Sequence, residues 1–390
     1  MLASWAPQLP PAPLRPRARR RRVRRCCLAA ALPHDALVLS LDVGSSGVKA
    51  ACVARDGRLV ATASAGYARA TRSAAPGCAE QSPADWLSAA GEAATRCIAD
   101  TPQVRCVVMC SGRARLLTPL ACAQGAAVAA VALCGQMQTL TFVGRSPRSL
   151  ARRRALLYSD TRARNEAAAV DAALAAAPGV ASSNLRGSGG ASVPAKLLWL
   201  SRHEPAALRA SAAALLGAHS LIAWALTGAA AADATSASAS GVLAPGGAAY
   251  AAAALERLGV DADLLPQLLR PDTPVGHVTA CAGRLSYDCA DEEAAGEDVA
   301  FAFPECLAGV PVFHGAGDVA ATAAGAGGGT HLYLGTSGWA AKEVADDGNA
   351  PPPGVFQLAA PAPGRVIRAA AATTTGGAIE WARAAFFGAS

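Results

Sequence analysis

The sequence predicts an α/β protein built from two similar domains that face each other across a cleft, and three observations carry that expectation. Strand-like and helix-like apolar runs alternate up to about residue 230, the pattern of an α/β domain. A strand–loop–strand unit occurs twice, as LSLDVGSSGVKAACVARDG at 39–57 and LYLGTSGWAAKEVADDG at 332–348. Such self-similarity marks an internal repeat. Finally, 390 residues at 52% hydrophobic content suffice for two domains with cores of their own.

The first 34 residues hold eight Arg and no acid. With these set aside, the 35 basic residues of the chain fall to 27, against 28 acidic ones. The body is therefore almost neutral, and no nucleic-acid partner is expected for it. The Pro- and Arg-rich, acid-free tail reads as an organelle transit peptide, plastid first and mitochondrion second. Its rival is a basic arm for nucleic acid on a protein left in the cytoplasm.

Residues 35–280 form the expected first domain. Strands are predicted over 37–42 and 48–54, and an Asp-Gly turn at 56–57 leads into a third. Ser82 and Pro83 open a helix that runs through SPADWLSAAGEAATRCIA. VAAVALCGQMQ, 128–138, is a buried strand that breaks at Gly135, and VPAKLLWLSRHEPAAL, 193–208, is helical. Residues 210–232 carry no charge and are long enough to span a bilayer. Ser211, His219, Ser220 and Thr227 interrupt the run, so a buried helix ending near Thr227–Gly228 is expected, and no membrane. The acidic stretch 281–304 reads as a loop or linker, and 305–390 as part of a second domain. Twelve cysteines occur without any C-x-x-C, which removes zinc-ligand spacing and leaves most of them as small buried apolar residues.

The repeated loops carry the chemistry. G-[ST]-S-G at 44–47 and 335–338 lets consecutive backbone N–H groups converge on an anion with no side chain in the way. Ser45, Ser46, Thr336 and Ser337 add hydroxyl donors beside Gly44, Gly335 and Gly338. Asp42 cannot bind phosphate itself, but it fits a Mg2+ ion held between carboxylate and phosphate. Lys49 either reaches a phosphate or ends its strand in solvent; spacing weighs the two equally. Neither loop sits in the strand-to-helix elbow of a serine hydrolase.

Seven ordered blocks extend these loops: LSLDVGSSGVKA (39–50), AEQSPADWL (79–87), CGQMQ (134–138), LLYSDTRARNE (156–166), PAKLLWLSRHEP (194–205), GAGDVAATAAGAG (315–327) and LYLGTSG (332–338). Together they resemble the FGGY carbohydrate kinases, and within them most closely the xylulokinases. The resemblance implies two ribonuclease-H/actin-like domains flanking a cleft for sugar and ATP. It makes Asp42 the metal-associated aspartate and Asp318 the general base at the sugar. Gln136, Met137 and Gln138 match the sugar-contacting segment. Both loops, with Lys49, would hold the phosphates of Mg-ATP. Asp160 and Arg162 read as an ion pair shaping the cleft wall. The implied reaction is ATP-dependent phosphorylation of a ketopentose such as D-xylulose, and the resemblance leaves a homodimer open.

The pattern also departs from the family. Gln138 stands where xylulokinases have His, and Val319 where they have Asn after the base. Residues 105–127 have no counterpart. Family members continue past the segment matching AATTTGGAIEWARAAFFGAS, so the second domain is expected to be incomplete and to lack the late adenosine motif. The alternative is then a catalytically inactive kinase-like fragment or sugar-binding protein. An actin-like or chaperone-type ATPase is disfavoured by GQMQ, AEQSP and PAKLLW.

Overall fold

The computed structural model describes residues 36–101, 128–175, 189–244, 247, 249–288, 299–334, 338–372 and 375–388. The expected transit peptide, the 105–127 insertion and loop residues 335–337 lie outside them.

The chain opens with strands β1 (Leu37–Val43), β2 (Gly47–Ala54) and β3 (Leu59–Gly66), paired as an antiparallel meander. Alternation in β1 buries Leu37, Leu39, Leu41 and Val43 on one face. A short β4 (Glu80–Gln81) precedes helix α1 (Pro83–Ala99), whose first position is the proline that a helix start tolerates. Its inner face buries Trp86, Leu87, Ala90, Ala94, Cys97 and Ile98 against β2 and β3.

Next come β5 (Val128–Gly135), β6 (Met137–Gly144), β7 (Ser149–Leu150), β8 (Ala155–Leu156) and α2 (Arg164–Ala175). Helices α3 (Val193–His203) and α4 (Pro205–Ala210) follow, broken at Pro205. The segment after them corrects the single-helix reading of 210–232. Ser211–Gly217 is strand β9, paired with β6, and only Ala218–Thr227 is helix α5, closed by Gly228 at φ +79°. Both halves are mostly apolar and mostly buried, and so short a run has no period to tell strand from helix. No helix among the described residues is long and apolar enough to cross a membrane.

Beyond lie β10 (Ala231–Asp233), α6 (Ala234–Ala239), α7 (Ala252–Arg257), β11 (Gln267–Leu269) and β12 (Pro274–His277). The acidic stretch read as a linker contains a hairpin, β13 (Ala282–Tyr287) with β14 (Val299–Ala302). Its strands bury Leu285, Val299 and Phe301 in the main core, so ordinary strand alternation outweighed the acidic composition of the residues between them. Then come β15 (Pro311–Gly317) and α8 (Asp318–Gly325), followed by β16 (His331–Leu334), β17 (Gly338–Ala345), β18 (Phe356–Ala359), β19 (Arg365–Ala372) and α9 (Gly376–Phe387).

The first sheet has the order β12–β15–β5–β1–β2–β3, with β15, β5 and β1 parallel. A three-strand meander joined to parallel strands is the arrangement expected of the ribonuclease-H/actin-like fold. This sheet extends to Gly317, so a boundary at 281–304 divides strands that are hydrogen-bonded together. The second sheet, β16–β17–β19–β18, packs its Ala341, Leu358, Ile367 and Ala369 on Val319, Ala320 and Ala323 of α8. The ends of β1, β5 and β15 thus open beside the hairpin that starts the second sheet.

Candidate active site

In open parallel sheets, ligands bind outside the carboxyl ends of the strands. Here β1, β5 and β15 end together: Asp42 lies beside Cys134, and Cys134 beside Ala316. Asp42 and Cys134 are therefore abreast on adjacent strands, about 4.8 Å apart at the backbone. Asp318 follows Gly317 as the first residue of α8.

Burial raises the pKa of Asp42, opposed by the charge of Lys49 and by the Cys134 thiol that donates to it. Asp318 is pushed up to about 7, by burial first and then by the charges of Asp42 and Asp233. Its own Oδ1 accepts from the Val319 amide at 2.9 Å, which fixes that oxygen and leaves Oδ2 for another partner. The charge of Asp42 thus adds to burial in raising Asp318, while Lys49 offsets the burial of Asp42.

The turn after Asp42 is held from inside. Tyr67 donates through its hydroxyl to the carbonyl of Gly44 at 2.6 Å, Gln81 to that of Ser45 at 2.7 Å, and the Tyr67 amide to that of Ser46 at 3.2 Å. In a trans peptide the N–H points opposite to the C=O. Three carbonyls drawn inward therefore turn the amides of Ser45 and Ser46 outward, where both residues are exposed. Gly47 is required by packing, since a Cβ there would meet the carbonyl oxygen of Ala65 at 2.5 Å. Lys49 pairs with Asp42 across β1 and β2 and is exposed.

The 136–138 segment is used mostly by the protein itself. Gln136 is buried, and its Nε2 donates to Gln81 Oε1 at 3.3 Å. Gln138 adopts φ +55°, and its side-chain amide donates to the carbonyl of Ala239 at 2.6 Å. Lys196, fully buried, donates to the carbonyls of Leu157 at 2.6 Å and Gln138 at 3.3 Å. Met137 packs against Gly317, where any Cβ would strike its sulfur. Of the three residues, Met137 alone lies directly against the turn that carries Asp318.

The second hairpin repeats the first: Leu334 pairs with Gly338, so residues 335–337 join β16 to β17 as 44–46 join β1 to β2. Gly335, Thr336 and Ser337 themselves fall outside the described residues. Gly338 leaves no room for a side chain, with the carbonyl of Tyr333 at 2.7 Å from a Cβ position. Burial raises the pKa of Tyr158, and the charges of Asp318 and of Tyr333 on this hairpin raise it further.

Comparison with known proteins decides the family. Residues 37–285 match the model of the FGGY family of carbohydrate kinases, N-terminal domain. The chain belongs to this family. Among curated proteins none matches in sequence. Among solved structures, a xyloylose kinase from Brucella ovis is similar at TM-score 0.68 and 24% identity, covering 91% of this chain and 63% of its own. A xylulose kinase from Rhodospirillum rubrum follows at TM-score 0.67 and 22% identity, covering 90% and 64%. A gluconate kinase from Lactobacillus acidophilus matches at TM-score 0.67 and 18% identity, covering 89% and 62%. A five-carbon ketose kinase and a sugar-acid kinase thus fit equally well, so the likeness shows the fold and not the sugar. The chain spans about 63% of the length of the first of these relatives.

Several residues of this FGGY site escape sequence reading. Gln81 braces the 44–47 turn and also accepts from Trp86 Nε1 at 2.9 Å. Glu80 receives Arg152 and Arg162, each at 2.7 Å, and the two arginines hold it below the usual carboxylate range despite its burial. The expected Asp160–Arg162 pair is present at 2.8 Å, with Arg162 also stacked over Trp199. Asp160 further accepts from the Ala79 amide at 2.7 Å. These contacts tie AEQSP to SDTR, which a strict pairing of blocks by sequence order would not reveal. Of the six described cysteines, Cys52 and Cys97 are buried and the other four half-buried, so fewer are core residues than expected.

Proposed function

We propose that the chain carries the sugar-phosphorylating centre of an ATP-dependent carbohydrate kinase that acts on a ketopentose such as D-xylulose. The observation that carries this reading is the environment of Asp318. A carboxylate whose pKa is pushed up to about 7 at the mouth of three parallel strands is matched to accept a hydroxyl proton near neutral pH. With Oδ1 held by the Val319 amide, Oδ2 takes the proton as the sugar oxygen attacks the γ-phosphoryl group. The outward amides of Ser45 and Ser46 hold phosphate oxygens, and the sequence of 335–338 matches the second phosphate motif.

Asp42 suits Mg2+, because its carboxylate is a hard oxygen donor raised by burial at a site short of cations. When bound there, the ion supplies charge neutralisation for the phosphates; Lys49 adds to it from the same face of the sheet.

Replacing Asp318 by Asn should abolish sugar-dependent ATP consumption while sugar binding, read by calorimetry, persists. In the wild type, turnover should fall about tenfold per pH unit below pH 7, where Asp318 is protonated. Unchanged turnover in the variant refutes the assignment. A second reading, a sugar-binding protein without turnover, is favoured by one observation: Gln136 and Gln138 spend their side-chain amides on Gln81 and Ala239. Sugar binding by the wild type with no ATP consumption across a panel of pentuloses and sugar acids would establish it.

A further inference from the structure

Behind the Asp318 turn lies a closed cluster that the phosphoryl-transfer reading does not use: His219 of α5, Asp233 at the end of β10, and His314 of β15. All three are buried to within 1%. His219 Nε2 and His314 Nδ1 each stand 3.3 Å from the same oxygen, Asp233 Oδ2. We propose that these three atoms form a binding site for a divalent transition ion of the zinc type.

The geometry supports a metal over a purely hydrogen-bonded cluster in three ways. First, zinc bonds of about 2.0–2.1 Å in a tetrahedron place neighbouring ligand atoms about 3.3 Å apart, which is the separation of both nitrogens from Oδ2. Second, His314 Nδ1 is fully buried and has no hydrogen-bond partner among the described residues, although Oδ2 is close. A ring N–H aimed at that oxygen would form a bond. His219 Nε2 does lie in hydrogen-bonding geometry with Oδ2, whereas His314 Nδ1 misses it, as the lone pair of a ligand directed at the centre of a tetrahedron does.

Third, outer contacts prepare two of the three ligands, His314 and Asp233, while His219 Nδ1 is buried without a partner among the described residues. His314 Nε2 meets Ser220 Oγ at 2.8 Å, which fixes the ring and frees Nδ1 for the ion. Asp233 Oδ1 accepts from the amides of Ser236 at 2.8 Å and Gly317 at 3.3 Å, leaving Oδ2 as a single donor. The charges felt at neighbouring Asp318 are those of Asp42 and Asp233, so the surroundings favour a cation. Two imidazoles and one carboxylate leave a fourth position for water.

The ion would join three elements that are distant in sequence, and the Asp233–Gly317 contact places it directly behind the base. It is therefore a structural clamp, distinct from the Mg2+ expected at Asp42. The inference is independent of catalysis, and so is its test. Untagged full chain expressed with zinc should retain the metal stoichiometrically after dialysis, measured by plasma mass spectrometry. Cobalt loaded into the apoprotein should give the intense visible bands of a tetrahedral site, and zinc should raise Tm. His314→Gln and Asp233→Asn should lose the cobalt bands, and Ser220→Ala should weaken zinc binding by about 10–100-fold. Should the variants not fold, the wild-type measurements decide. Trace zinc only, no cobalt bands and no rise in Tm would overturn the site, as would bands unchanged in a folded His314→Gln protein.

Discussion

Replacing Lys196 by Met separates two opposing effects that the structure puts on one side chain. Burial lowers the Lys196 pKa from the ordinary 10.5 to about 7. Below pH 7 the folded and unfolded chains both hold the proton, and the folded state bears the full cost of a buried ammonium. Between pH 7 and 10.5 the unfolded chain binds a proton that the folded chain does not, so stability rises with pH, by about 1.4 kcal/mol per unit. From pH 7 to 9 this one group should contribute about 3 kcal/mol. The lysine also donates to the carbonyls of Leu157 and Gln138, and each left without a donor costs about 1–3 kcal/mol. At pH 9, then, Met should be less stable than the wild type by that loss. Towards pH 6.5 the deficit should shrink by about 3 kcal/mol or reverse, since Met carries no charge to bury. Urea unfolding of both proteins at matched pH values isolates the effect, because every other titrating group cancels in the difference. A wild-type-minus-variant stability that stays flat from pH 6.5 to 9 refutes the depressed pKa.

Two other substitutions test the site from its edges. Asp42→Ala should raise the Mg2+ concentration needed for ATP use while leaving the fold intact, and an unaltered metal dependence counts against its role. Gly315→Ala should destabilise the protein by more than about 1 kcal/mol, because Gly315 has φ +66° and its Cβ would land on the Leu133 carbonyl; a thermal melt matching the wild type would show that the β5–β15 contact yields.

The readable parts of the sequence are those where a local pattern coincides with the tertiary environment. β1 alternates because one face is core and the other is not, and α1 begins at Ser82–Pro83 because the helix start favours that pair. The 211–217 strand was illegible because six of its seven residues are buried, which leaves no alternation to read. Gln136 matched a sugar-contacting motif, yet its side chain faces Gln81, a partner 55 residues away that no spacing announces. Lys196 did leave a signal. With Val193 and Leu200 three and four positions away, it sits on the apolar face of its helix, where a charged residue must find buried partners. The His219–Asp233–His314 cluster left none, since His219 and His314 belong to segments 95 positions apart that meet only through the sheet.

The crowding of carboxylates at one end of three strands shows how a single fold gives identical groups different work. Asp233 would be raised by burial, but its two histidine neighbours, His219 first and then His314, hold it well below the usual range. It stays a fixed anion that receives the Gly317 amide. Asp318 has no such partners; burial and the charges of Asp42 and Asp233 push it up, so it exchanges its proton near neutrality. The anion that is held in place thus helps to raise Asp318, the proposed base, and the two meet at Gly317, whose amide donates to Asp233 and which directly precedes Asp318. Any change that relocates the charge of Asp233, whether protonation of the histidines or an ion between them, must therefore be felt at Asp318 as well as in the stability of the turn that carries it.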